Sequence, residues 1–330
     1  MVNILRVIRK SQYQSTPCRQ GKKPRGFTLI ELLVAIILAS LIITPLLGFM
    51  INFLQTDRRE QAKTTSEQDI QSAIDYIAQD LRQAVYIYDN DGLTNTGNNG
   101  IQDQIPSLNG FGCPAGATTC QPVLVFWKRQ FLEKNATDSA GTTVGDITQN
   151  NDAFVYALVG YYLIEGGSGI WSNAARIGRF EIRNGIQTSR QNSNQTSSPK
   201  FQSDPAFQMF NLNAAGTLEE KMNQWNNSGT TTNFNVTTTL VDYVDQSSQT
   251  FASCNANEQR VGTKGFVACV DTGSPNNPTD LPGPSSARVY LRGNAFARLQ
   301  NTNNQCTPER SSYCPTATIQ VKANGFLYTK

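Results

Sequence analysis

The chain contains no histidine in 330 residues. That absence removes the imidazole on which Ser-His-Asp and Cys-His catalysis, His-ligated haem and most proton shuttles depend. It also leaves zinc nothing but cysteine and carboxylate ligands, and none of the seven cysteines stands in a CxxC pair, so no zinc site is expected. Charged residues make up only 16% of the chain, and no acid precedes Gly26. Carboxylate-pair chemistry needs two acids brought together, and no spacing here nominates a pair, so an enzymatic role is not expected. Between Gln55 and Asp91 there is neither proline nor glycine, so nothing in that stretch interrupts a helix.

What is present is concentrated near the start. Arg25-Gly26-Phe27-Thr28-Leu29-Ile30-Glu31-Leu32-Leu33-Val34-Ala35 opens an apolar run that continues through Ile43. A helix of about twenty apolar residues spans a bilayer core. A carboxylate inside such a span costs roughly 2.5–3.5 kcal/mol on insertion scales, so Glu31 requires a partner that the run itself does not supply. A cleaved secretory signal fits poorly, because its shorter apolar core precedes the cut.

Charge and cysteine usage agree with an exported body. The formal charge is +3, but residues up to Gly26 hold seven bases and no acid, which leaves about −4 for the remainder. The basicity therefore does not mark a nucleic-acid surface, and basic flanks on one side of a span stay cytoplasmic. Cys18 lies in the basic segment, and the other six fall as close couples. Six cysteines permit 15 pairings. Short loops close cheaply, which favours Cys113–Cys120, Cys254–Cys269 and Cys306–Cys314, and buried free thiols suit a cytosol rather than an exported body.

The stretch Gly26-Phe27-Thr28-Leu29-Ile30-Glu31-Leu32-Leu33-Val34-Ala35 resembles the class III signal of type IV pilins and type II secretion pseudopilins. The resemblance implies that prepilin peptidase cuts between Gly26 and Phe27, that Phe27 is N-methylated, and that Glu31, the fifth residue after the cut, joins the subunit to its neighbour. It implies the fold of that family, α+β, with a long N-terminal transmembrane helix packed on an antiparallel β-sheet head. Its implied partners are other pilins or pseudopilins, the peptidase, an inner-membrane assembly platform and the bilayer. Pilins of this type often carry a proline or glycine further along the span, so Pro45 with Gly48 is expected to form a helix hinge.

The expected organisation is a basic leader at 1–26, which is removed, a transmembrane assembly helix at 27–54, an amphipathic continuation at 55–88, and an exported, β-rich, disulfide-bonded head at 89–330. Apolar residues recur at Ile70, Ile74, Ile77, Leu81 and Val85, a spacing that puts one stripe on a helix. Asp69, Gln71, Asp75, Gln79 and Asp80 are assigned to its polar face. The spacing predicts a single helix from about Phe27 to Tyr88.

The loop Asp89–Asp103 opens Asp-Asn-Asp-Gly. Asp89, Asp91 and Asp103 supply the oxygen ligands calcium prefers, without the EF-hand spacing, and the same loop also reads as a Gly/Asn turn region. No other cofactor is expected. Beyond it, short runs of β-branched and aromatic residues predict strands at 122–128, 153–164, 176–183, 234–244, 264–270, 287–292 and 316–323. A short helix is expected over 217–225, and 185–203 and 272–286 read as loop excursions.

Size and the motif Ile74-Asp75-Tyr76-Ile77-Ala78-Gln79-Asp80-Leu81-Arg82-Gln83-Ala84 look like the large subunits of the J-type pseudopilin and W-type minor pilin group. The Asn/Gln/Thr-rich body is most similar to the hormogonium polysaccharide secretion pseudopilins of filamentous cyanobacteria. The implied role is that of a minor pseudopilin in the cytoplasmic membrane with its head outside. The alternatives are a minor pilin of a motility or adhesion pilus, or a polysaccharide-binding tip subunit. Sugar binding needs exposed aromatics, and Trp127, Trp171 and Trp225 read equally well as core.

Overall fold

A computed structural model describes residues 26–132, 136–137, 143–144, 153–166, 169–184, 203–231, 234–236, 238–248, 250–271, 286–300 and 305–323. The basic leader before Gly26 and nearly all of the two expected loop excursions lie outside these residues. The chain forms two compact units, Met1–Gln55 and Thr56–Lys330.

The first unit contributes the opening of helix α1 (Leu29–Arg82). Its large apolar side chains from Phe27 to Leu54 are between 47% and 85% exposed. A helix that is apolar on every side is stable only when lipid or other helices cover it. Among the described residues this is the one helix long and apolar enough to cross a membrane.

In the second unit the remainder of α1 lies on a five-stranded antiparallel sheet. In spatial order the sheet runs β1 (Ala84–Ile87), β2 (Ala117–Leu132), β5 (Ala153–Gly166), β6 (Ala175–Arg183) and β7 (Thr238–Val244). A second antiparallel sheet has the order β11 (Thr316–Lys322), β10 (Ser286–Arg292), β9 (Phe266–Asp271) and β8 (Glu258–Val261). A small hairpin, β3 (Ala136–Thr137) with β4 (Thr143–Val144), extends from the β2–β5 connection. Antiparallel neighbours joined in this way give an α+β architecture. Ile70, Ile74, Ile77 and Leu81 are buried in one cluster with Val125 of β2, Tyr161 of β5 and Val289 of β10, so the helical stripe and both sheets share a core.

Each of the seven expected strand regions contains a strand, although the fourth is shorter than expected and begins at Thr238. The expected short helix is α3 (Leu218–Asn223). It is closed by a capping box in which Thr217 Oγ1 accepts from the Glu220 N–H while the Glu220 carboxylate accepts from the Thr217 N–H. Gly160 on β5 faces Phe180 on β6, and a Cβ there would meet the ring at 2.1 Å. Only glycine leaves room for that ring.

Two expectations are corrected. Helix α1 ends at Arg82, not near Tyr88, and the next residues form β1, with Tyr86 opposite Trp127 and Ile87 opposite Phe126. Ala84, Val85, Tyr86 and Ile87 are all buried. A stretch that is apolar at every position has no solvent face to offer as a surface helix, and β-branched and aromatic residues favour a doubly covered strand. The other correction is Asp80, which is buried rather than solvated. It follows Ile77 by three residues, and that spacing keeps it on the buried side of the helix.

Disulfides join Cys113 to Cys120, Cys254 to Cys269 and Cys306 to Cys314. The Cys254–Cys269 bridge spans 15 residues, the longest of the three separations. Replacing both its cysteines with serine is expected to lower unfolding free energy by about 3 kcal/mol. Urea denaturation of the oxidised protein and the double variant measures this. An unchanged midpoint would mean that the bridge constrains nothing that the sheet does not already hold.

Candidate functional site

The processing segment begins outside regular structure. Gly26, Phe27 and Thr28 precede the helix and are exposed, and no atom outside Gly26 and its chain neighbours lies within 4 Å of a Cβ built on it. An exposed, non-helical peptide bond is what a processing peptidase can bind. Helix α1 then starts abruptly. The Glu31 N–H donates to the Thr28 carbonyl at 3.1 Å, with Thr28 Oγ1 3.3 Å away, and the Leu32 N–H donates to the same carbonyl. Thr28 therefore satisfies donors that the first turn would otherwise leave open.

Glu31 stands in that first turn, where the helix dipole favours a negative charge. Its side chain is exposed, and none of the ion pairs among the described residues includes it. The carboxylate is thus available to an amine from outside the chain's described part.

Pro45 and Gly48 lie within α1, which continues through both. Proline supplies no N–H to the carbonyl one turn earlier. Just before it, Ser40 Oγ donates to the Ile37 carbonyl at 2.9 Å and Thr44 Oγ1 to the Ser40 carbonyl at 2.8 Å. Such back-bonding competes with the backbone ladder. Residues 40–48 thus combine a missing ladder N–H with two side-chain bonds to backbone carbonyls, within a helix that stays continuous.

The end of α1 is held by a charge cluster that periodicity could not reveal. Asp80 accepts from Lys128 Nζ on β2 at 2.8 Å, from the Tyr161 hydroxyl on β5 at 2.7 Å, and from Arg179 Nη2 on β6 at 2.8 Å. Lys128 also reaches Glu181 at 3.1 Å, and Arg179 pairs with Glu181 as well. Burial alone would raise the Asp80 and Glu181 carboxyls, but the Lys128 and Arg179 charges outweigh it and hold both below the usual carboxylate range. Burial and the neighbouring Asp80 charge push the Tyr161 phenol far up, so it stays a donor. A second buried pair, Arg292 Nε to Asp245 Oδ2 at 2.8 Å, fastens β10 to the chain just beyond β7.

The structure separates the candidate calcium ligands. Asp89 is buried and caps helix α2 (Asn90–Thr94) by accepting from the Gly92 N–H at 2.9 Å. Asp91 accepts from Gln259 Nε2 at 3.2 Å. Asp103 lies in a turn lining an open cleft with Thr96 and Pro106. Among the described residues, the cysteine and acid side chains close enough to share an ion are Cys254, Glu258 and Cys269, and the disulfide removes both thiolates. Trp127 and Trp225 are core residues in edge contact with each other, whereas Trp171 is 42% exposed.

Residues 21–47 match the prokaryotic N-terminal methylation motif. The match covers the basic approach, Gly26, Phe27, Glu31 and Pro45, and it supports a type IV pilin-like or pseudopilin subunit anchored in a membrane by its N-terminal helix. No curated protein and no solved structure matches the chain.

Proposed function

We propose that the chain is a minor pseudopilin, a structural subunit of a type II secretion or type IV pilus-like machine that serves polysaccharide secretion. The observation that carries the reading is the apolar part of α1, exposed on every side up to Leu54 and with Glu31 as its one acid, which begins inside a methylation motif. Such a helix is covered first by lipid and then by the helices of neighbouring subunits. Cleavage between Gly26 and Phe27 would leave a positive amine at the start of the mature chain, and Glu31 of one subunit would pair with the amine of the next. The pairing offsets the burial of both charges in an apolar bundle.

The three disulfides and the basic residues before Gly26 support a body outside the cytoplasmic membrane. The second unit, Thr56–Lys330, is large for a subunit repeated along a narrow shaft, which favours a capping or priming position. Prepilin peptidase, other pilins or pseudopilins and an assembly platform would be its partners. Pro45 and Gly48 would let the helix yield as subunits pack.

Deleting the gene and scoring surface pili and extracellular polysaccharide in parallel tests the reading. Loss of polysaccharide with pili intact is expected. Loss of pili would place the protein in a motility or adhesion pilus and make any polysaccharide defect secondary.

A further inference from the structure

Away from the apolar part of α1, a cleft of about 620 Å³ opens beside β7. Its walls come from four parts of the second unit. Asp69, Ser72 and Tyr76 follow one another on α1 at spacings of three and four residues, so they share one face of the helix. Ile170 and Trp171 come from the β5–β6 connection, Asp242 and Tyr243 from β7, and Arg298 from helix α4 (Ala295–Leu299).

Two of the rings in this cleft are displayed rather than buried. Tyr76 is 45% and Trp171 42% exposed. Both are nevertheless held in place. Asp242 accepts from the Ser172 N–H at 2.9 Å and from Ser172 Oγ at 2.7 Å, which ties the residue after Trp171 to β7. Arg176 Cζ lies 6.0 Å from the centre of the Trp171 ring, and Arg179 Cζ lies 5.8 Å from that of Tyr76. A cation over one face of a ring leaves the other face to a ligand. The third ring, Tyr243, has Arg298 Cζ over it at 4.3 Å, and its φ is 59°. Bulky residues seldom adopt that conformation, and residues held in it cluster at ligand sites.

We propose that this cleft binds a neutral oligosaccharide, with Trp171 and Tyr76 as stacking surfaces and Asp69, Ser72 and Arg298 as partners for hydroxyls. A sugar ring has apolar C–H faces and hydroxyls around its rim, and the cleft offers aromatic faces among a few polar side chains. Its volume falls within the roughly 300–1,000 Å³ of small-molecule sites. Two acids and one base line it, and the base, Arg298, is already paired with Asp69. An acidic sugar would therefore meet repulsion from Asp242. An extended peptide would bind a strand edge through backbone hydrogen bonds, but those of Tyr243 are engaged. Its N–H donates to Asp242 Oδ1 at 2.7 Å, and its carbonyl accepts from the Asn294 N–H at 2.7 Å.

The site stands on the cleft alone and does not depend on the assembly role, so a failure of either leaves the other untouched. Asp242 takes no direct part in it and acts by positioning Trp171.

Full-length protein in a detergent without a sugar headgroup is titrated by calorimetry with cellohexaose, maltohexaose, a galacturonate hexamer and neutral oligosaccharides released from the cells' own extracellular polysaccharide. The same titrations are run on Trp171→Ala, Tyr76→Ala and Phe154→Ala, the last an exposed ring at the other end of β5. The proposal expects saturable binding of a neutral oligosaccharide and none of the galacturonate hexamer. It also expects about tenfold weaker binding in each cleft variant, wild-type binding in Phe154→Ala, and one melting temperature for all four proteins. No saturable binding of any neutral probe, preference for galacturonate, or equal affinity in all four proteins would overturn it. The displayed rings would then be a contact surface for another protein subunit.

Discussion

Glu31→Ala is expected to leave the chain processed and inserted in the membrane but absent from any filament. Removing the carboxylate makes insertion easier, by roughly 2.5–3.5 kcal/mol on scales for an acid within a span, so loss of the membrane-bound protein is not expected. Thr28 still caps the first turn through its carbonyl, so the peptide bond between Gly26 and Phe27 keeps its exposed, non-helical setting. What disappears is the anion that a neighbouring amine needs on entering an apolar bundle. A buried ammonium without its partner costs about 3–5 kcal/mol, which at each contact would reduce incorporation by two orders of magnitude or more. Glu31→Val should behave the same way. Immunoblots of membrane and sheared-filament fractions, with the mass of the membrane form as a check on processing, measure the effect. Normal incorporation of either variant would sink the pairing account.

The methylation motif was legible in the sequence because its parts are contiguous. Gly26, Phe27 and Glu31 lie within six positions, and their meaning comes from order along the chain. The disulfides were legible for a related reason, since each joins neighbouring cysteines. The strands in β5, β6, β9 and β10 announce themselves by runs such as Phe154-Val155-Tyr156-Ala157-Leu158-Val159. By contrast, β8 is Glu258-Gln259-Arg260-Val261, half exposed at an edge, and carries no such signature.

What stayed hidden depends on distance along the chain. Val85 continues the helical stripe in register, and nothing local says that Phe126 and Trp127 are waiting to pair with the residues after it. Asp80 looked like one more polar residue because its partners, Lys128 and Arg179, are 48 and 99 residues away. A clue was available in Lys128, which directly follows the apolar run Val123-Leu124-Val125-Phe126-Trp127 and could remain buried only by meeting an acid.

The Asp80 cluster gives the second large effect. Asp80 and Glu181 oppose Lys128 and Arg179, so the group is balanced, and all four side chains are less than one-fifth exposed. Asp80→Ala leaves two cations facing one anion in a dry setting and should cost about 3–5 kcal/mol, a large share of the 5–15 kcal/mol typical of a whole protein. Asp80→Asn combined with Lys128→Met restores one charge of each sign, and should recover much of that loss. The same cluster fixes the response to acid. Both carboxyls titrate below their ordinary values of 3.8 and 4.5, so the unfolded chain takes up protons before the folded one does. Their contribution is complete above the ordinary values and is lost as pH falls through the lower folded ones. Urea unfolding at neutral pH and again near pH 3 should therefore show wild type losing more stability than Asp80→Ala, which has already lost the group that titrates. Equal losses in the two proteins would mean that other carboxylates govern acid unfolding, and that Asp80 holds the end of α1 to the sheet by packing rather than by charge.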